Sequence, residues 1–263
     1  MIVQDRSMKK LVKLLLVSVL CLSLVGCKKE EAKTTLTLAA AASLEYVFVE
    51  KLIPLFEKEH PSIKIEGTYD SSGKLQTQIE NGLQADLFFS AATSQMDALV
   101  SEDYIQRKDV VDLLQNEVVL IVPKDSSLDI QNFADILKAD KIAIGDPDSV
   151  PAGQYAKAAF EKLGIYNQVL AKSSLGTNVT EVLNWVGEKS AQAGIVYASD
   201  AATSDKVKVV SSGQKENLID LAMYPLAILK NSKHRDEAKK FFDFLQSSKA
   251  LEIFSEYGFT AVS

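Results

Sequence analysis

The sequence predicts an α/β protein of two lobes, each built on a mostly parallel sheet flanked by helices, with two hinge strands joining them. Three observations carry that expectation. Short apolar runs alternate with amphipathic stretches in the order β-α-β-α-β, which places consecutive strands parallel through right-handed helical crossovers. A second set of βα units follows the apolar run 118–122, which ends at Pro123. Between the two sets there is no Pro/Gly/Ser-rich linker, no internal repeat and no low-complexity tract, so strands rather than a loose tether connect the lobes.

The first segment sets the compartment. Lys9, Lys10 and Lys13 give a positive start, and 11–25 is apolar apart from Lys13, Ser18 and Ser23. That is the layout of a secretory signal, too short for the ~20 apolar residues of a membrane-spanning helix. Its end, Leu24-Val25-Gly26-Cys27, resembles the lipobox of bacterial lipoproteins and implies a lipid anchor on Cys27, with Lys28, Lys29, Glu30 and Glu31 as a polar tether. The expected organisation is a removed signal at 1–26, a lipid-anchored tether at 27–34, a first lobe from 35–116 plus 226–263, and a second lobe at 117–225. Met8 is an alternative start. Cys21 leaves with the signal and Cys27 carries lipid, so no disulfide staples the mature domain. Its roughly 230 residues must rely on hydrophobic cores, which a chain of this length and 47% hydrophobic composition can bury.

The elements follow in order. Residues 35–38 alternate as a strand and run into Ala39, Ala40, Ala41, Ala42 and Ser43, before a helix from Leu44 to about His60 stopped by Pro61. Residues 63–66 form the next strand. Ser71-Ser72-Gly73 opens a helix with Leu75, Ile79 and Leu83 inward, and 86–89 is a buried strand. Strands are then predicted at 118–122, 141–144, 193–197, 206–210 and 224–228, and helices at 153–163, 178–186, around Ala238, Phe241, Phe242 and Leu245, and at 249–257. The chain has two places to cross between lobes, near 116–118 and near 223–225, and two crossings make a hinge.

Several kinds of chemistry are excluded or disfavoured. The whole chain has 29 basic and 35 acidic residues; without Arg6, Lys9, Lys10, Lys13 and Asp5, 25 and 34 remain, net −9. Such a balance argues against nucleic acid as a partner and means that any bound anion must be held by local, preorganised donors. His60 and His234 lie in polar contexts as surface residues, and no His/Cys cluster has transition-metal spacing. The stretch 68–75 is not a phosphate loop, since it lacks the first glycine and has Leu75 where magnesium would need a hydroxyl. There is no G-x-S-x-G elbow. An enzyme is not expected, nor is a cofactor.

What the sequence does offer is small neutral donors where strands hand over to helices. Ser43 follows a buried strand and opens a helix, Ser71-Ser72-Gly73 repeats the arrangement, Pro151 precedes the amides of Ala152 and Gly153, and Thr177-Asn178-Val179 opens a further helix. Helix N-termini carry unpaired amides and partial positive charge suited to an anion. One such serine alone is more simply an N-cap. Several at the carboxyl ends of parallel strands fit the rule that open α/β sheets bind ligands there.

The segments A-A-A-S-L (40–44), S-S-G-K-L (71–75), A-D-L-F-F-S-A (85–91), G-D-P-D-S-V-P-A-G (145–153), G-I-V-Y-A-S-D-A (194–201) and Y-G-F (257–259) together resemble the periplasmic molybdate-binding proteins of ABC transporters, in the family's order and across 35–263. The resemblance implies a type II periplasmic-binding-protein fold and a monomeric receptor that delivers molybdate, or tungstate of nearly the same size, to a transporter permease. It further implies Ser43 and Ser72 as ligands from the first lobe, through hydroxyl and amide, and the amides of Ala152 and Val179 with the phenol of Tyr197 from the second. The metal is then held only within the oxyanion. The chain departs from the family at Gly73, where some members carry a third serine; Ser72 rather than Ser71 is the implied ligand. About seven donors at roughly 1.5 to 3 kcal/mol each give on the order of 10 to 20 kcal/mol gross, so nanomolar capture, about −12 kcal/mol, is reachable after immobilisation and closure. The alternatives are a receptor for sulfate, which has the same charge and shape and differs only in size, or for another tetrahedral oxyanion, and, further off, a catalytic protein on the same fold.

Overall fold

A computed structural model describes residues 33–262; the expected signal, Cys27 and most of the tether lie outside the described residues. Two sheets organise the chain. The first has six strands in the order β11-β4-β10-β3-β1-β2, namely Thr260–Ala261, Ile105–Asn116, Ala222–Leu229, Leu87–Phe89, Thr34–Ala41 and Ile63–Asp70. The second has five in the order β7-β6-β8-β5-β9, namely Ser173–Gly176, Ile142–Gly145, Ala193–Tyr197, Val118–Pro123 and Val207–Ser212.

Both sheets are mixed: most strands of each run in one direction, as expected, and the connectivity explains those that run against them. Strand β1 runs parallel to β2 and β3, while β10 is antiparallel to β3 and β4. In the second sheet β6 is parallel to β7 and β8, and β5 is antiparallel to β8 and β9. The chain leaves the first sheet at Asn116, enters the second at Val118, leaves it after Ser212 and re-enters the first at Ala222, which pairs with Asn116. A strand that starts at a crossing must run away from it, whereas the βαβ strands run towards it. The same geometry gathers the carboxyl ends of β1, β2, β3, β6 and β8 on the side where the sheets meet. Pro225 interrupts β10 without breaking it, because a register shift between Tyr224 and Pro225 takes up the lost donor.

The first helical segment is continuous from Ala42 to Glu59 but not uniform: 3-10 at Ala42–Leu44, α at Glu45–Val47, a π turn at Phe48–Leu52 and α again at Ile53–Glu59, together called α1. The wide turn, closed by Ile53 N–H donating to the Phe48 carbonyl, stands next to Pro54, whose ring an unbroken α-helix would press against the preceding turn. Against the first sheet, Phe48 packs on Phe89, Phe241 and Phe254 with centroids 5.9–6.2 Å apart. The second half has its own pair, Phe133 and Phe160, at 5.9 Å. No helix among the described residues is long and apolar enough to cross a membrane.

Candidate functional site

The helices that matter begin where the sheets meet. After β1, α1 starts at Ala42; after β2, α2 spans Ser72–Glu80 with Ser71 at its N-cap; α3 covers Thr93–Ser101 after β3. In the second half α4 is Pro151–Lys162, α5 Tyr166–Leu170, α6 Val179–Gly187 and α7 Ala198–Ala202. Ser43, Ser72, Ala152, Val179 and Tyr197 all line one small cavity between the two halves, and all five are buried. No Lys, Arg or His is among the described residues that line it. No group of His, Cys, Asp and Glu among the described residues could hold a metal ion.

Each donor is fixed by a specific neighbour. Ser72 Oγ accepts the Ala91 amide at 2.9 Å, which leaves its own hydrogen free to donate. Ser43 Oγ and the Tyr224 hydroxyl share a hydrogen bond of 3.0 Å. The Tyr197 hydroxyl lies 3.5 Å from the Ala91 carbonyl, too long to hold its hydrogen firmly. Its ring meets Tyr224 edge to face at 5.5 Å. Burial pushes the Tyr197 and Tyr224 phenols well above their ordinary pKa, so both remain protonated donors at neutral pH. At the start of α4 the Gly153 and Gln154 amides bond back to the Val150 carbonyl, and Pro151 has no amide, so Ala152 offers the spare N–H. At α6, Asn178 caps the helix by accepting the Glu181 amide at 3.0 Å. Val179, first in the helix, retains an amide without an intrahelical partner.

Three further residues, Asp70, Tyr224 and Asp200, were not singled out in the sequence, and Ser71 was passed over in favour of Ser72. Ser71 and Asp70 also line the cavity; the Asp70 carboxylate accepts the Ser71 amide at 2.8 Å and faces Lys74 Nζ at 3.4 Å. Tyr224, fully buried in β10, supports Ser43, a role that strand periodicity does not reveal. Asp200 is 5% exposed, and burial raises its pKa to about 7, partly opposed by the Tyr197 amide it accepts at 3.1 Å. Because its folded pKa lies above the unfolded value, its contribution is fully present below about pH 4 and is lost as pH rises through 7. The Asp200→Asn variant keeps an acceptor for Tyr197 and removes that slope. In urea titrations the wild type should lose about 2 to 4 kcal/mol more stability than the variant between pH 4 and pH 8.

The two halves touch directly across the cavity. The Gly73 amide donates to the Ser149 carbonyl at 3.0 Å, and Gln95 Nε2 donates to Gln154 Oε1 at 3.5 Å. A Cβ on Gly73 would lie 2.5 Å from the Ser149 oxygen and 2.9 Å from its Cα, so this approach requires glycine. Gly73→Ala should prop the halves apart and weaken anion capture about tenfold by calorimetry, while the thermal midpoint of the unliganded protein stays level or rises, since alanine suits a helix better.

Two α/β halves joined by two crossings, with helix starts converging on a small buried cavity between them, define a two-lobed solute receptor, the type II periplasmic-binding-protein fold. Residues 36–260 match the bacterial extracellular solute-binding proteins. YvgL of Bacillus subtilis (strain 168), a lipoprotein provisionally named as the substrate-binding component of an ABC transporter, is 42% identical over 92% of each chain. The molybdate-binding protein ModA of Escherichia coli (strain K12) is 36% identical over 86% of this chain and 88% of its own. A solved substrate-binding domain assigned to a molybdenum ABC transporter of Clostridium difficile shares 37% identity, with TM-score 0.67, over 88% of this chain and all of that domain. The chain belongs to the bacterial extracellular solute-binding proteins and, within them, to the ModA-like family, whose members bind solutes and are not enzymes.

Proposed function

We propose that this protein captures molybdate, and tungstate of nearly the same size, in the interlobe cavity and hands it to the permease of an ABC transporter. The observation that supports the reading most strongly is the convergence of Ser43, Ser72, Ala152, Val179 and Tyr197 on one buried cavity lined by hydroxyls and helix-start amides without a basic side chain. Donors of this kind suit a fully deprotonated dianion. The names of the relatives at 36% and 37% identity point to the same ligand.

In this reading the lobes, 35–116 with 226–263 and 117–225, close as a hinge through the crossings at Glu117 and before Ala222. The protein acts as a monomer, held to the membrane by lipid on Cys27, a role that the lipoprotein relative supports. Labelling with a radioactive fatty acid should mark the wild type and leave Cys27→Ala unlabelled; label retained on the variant removes the anchor. Titration with molybdate, tungstate, sulfate and phosphate tests the ligand, and preference for sulfate would turn the reading to a sulfate receptor.

A further inference from the structure

We propose that Ser71 is an additional ligand of the captured oxyanion, its hydroxyl donating to an anion oxygen beside Ser72; this rests on the oxyanion reading above. Ser71 occupies the N-cap of α2, with φ −62° and ψ 144°, yet its side chain caps nothing. At such a position a serine hydroxyl ordinarily accepts an amide from the first turn. The same fold uses caps elsewhere: Asn178 accepts the Glu181 amide and Ser247 the Ala250 amide. Ser71 is 3% exposed, lines the cavity, and its Oγ is buried without any hydrogen-bond partner. A buried hydroxyl left unpaired is uncommon and costly, and calls for an account.

The surroundings narrow that account to the ligand. At this helix start the Ser71 amide is taken by Asp70 Oδ1 and the Gly73 amide by the Ser149 carbonyl. Ser72 Oγ is pinned by the Ala91 amide. The Ser71 hydroxyl is buried without a partner, and Ser71 lines the cavity where the other donors meet. An anion oxygen is the partner that the cavity's chemistry supplies.

The test is calorimetric titration of the wild type and Ser71→Ala with sodium molybdate, alongside thermal unfolding of each without ligand. The expected result is a Kd at least about tenfold weaker in the variant, as for a lost hydrogen bond to a charged group. The unliganded thermal midpoint should be unchanged or higher, because the variant removes an unsatisfied hydroxyl. An unchanged Kd, or a midpoint that falls, overturns the assignment, the latter because it marks a structural cap. Failure of the wild type to bind molybdate, tungstate, sulfate or phosphate would sink the oxyanion reading itself, and Ser71's role with it.

Discussion

Ser43→Ala combined with Tyr197→Phe is expected to weaken molybdate binding by about 10²- to 10⁴-fold. Each hydroxyl donates to a charged ligand, worth roughly 1.5 to 3 kcal/mol, and every 1.4 kcal/mol is tenfold. The two residues come from opposite halves, Ser43 at the start of α1 and Tyr197 at the end of β8, so the loss tests the bridging of the cavity rather than one wall. Both changes preserve volume closely, and Tyr224 keeps its ring contact with position 197. Native mass spectrometry reads the outcome as disappearance of the bound-anion mass. Undiminished binding in the double variant would remove the site assignment.

Gly153→Ala has the second large effect, on both stability and capture. A Cβ there would stand 2.1 Å from the Gly145 carbonyl oxygen and 2.6 Å from its carbon, backbone atoms at the end of β6 that cannot swing aside. The start of α4 would have to move off the strand, carrying the Ala152 amide with it. Overpacking of this kind costs about 1 to 3 kcal/mol, occasionally more, and urea unfolding should show it. Displacement of a cavity donor by even part of an ångström should also cost at least tenfold in affinity. Wild-type stability with wild-type Kd in this variant would contradict the close approach.

Much of this architecture was legible because strong local signals agreed with it. The alternation at 35–38 runs into buried alanines, the amphipathic spacing of Ala238, Phe241, Phe242 and Leu245 lies on one buried face, and 193–197 matches β8 residue for residue. The elements not anticipated carry weaker or conflicting patterns. β4 spells Ile105–Asn116 with Arg107, Lys108, Asp109 and Asp112, charges that fit an outer position in the sheet but disguise its apolar period. The helix Thr93–Ser101 lacks a side-chain cap hydrogen bond and has a short apolar face. Most strands of each sheet run in the direction that the βαβ units imply, whereas β5 and β10 take the opposite direction because they start at the crossings.

The site was legible to a different degree. Helix starts after strands picked out Ser43, Ala152 and Val179 as bearers of donors, and the family resemblance chose among them and added Tyr197. Periodicity could not reveal Tyr224 or Asp200, since their places depend on packing between elements distant in sequence. Nor could it distinguish Ser71 from Ser72: only the three-dimensional arrangement shows one hydroxyl engaged and its neighbour unpaired.

Isothermal titration of the folded domain with molybdate at neutral pH, repeated with sulfate in the cell, addresses the central claim most directly. A single site per chain of nanomolar affinity, barely displaced by millimolar sulfate, is the predicted result. Micromolar or weaker molybdate binding would contradict the claim that uncharged donors gathered from the two halves suffice to capture the anion, and equal competition by sulfate would contradict molybdate as the preferred ligand.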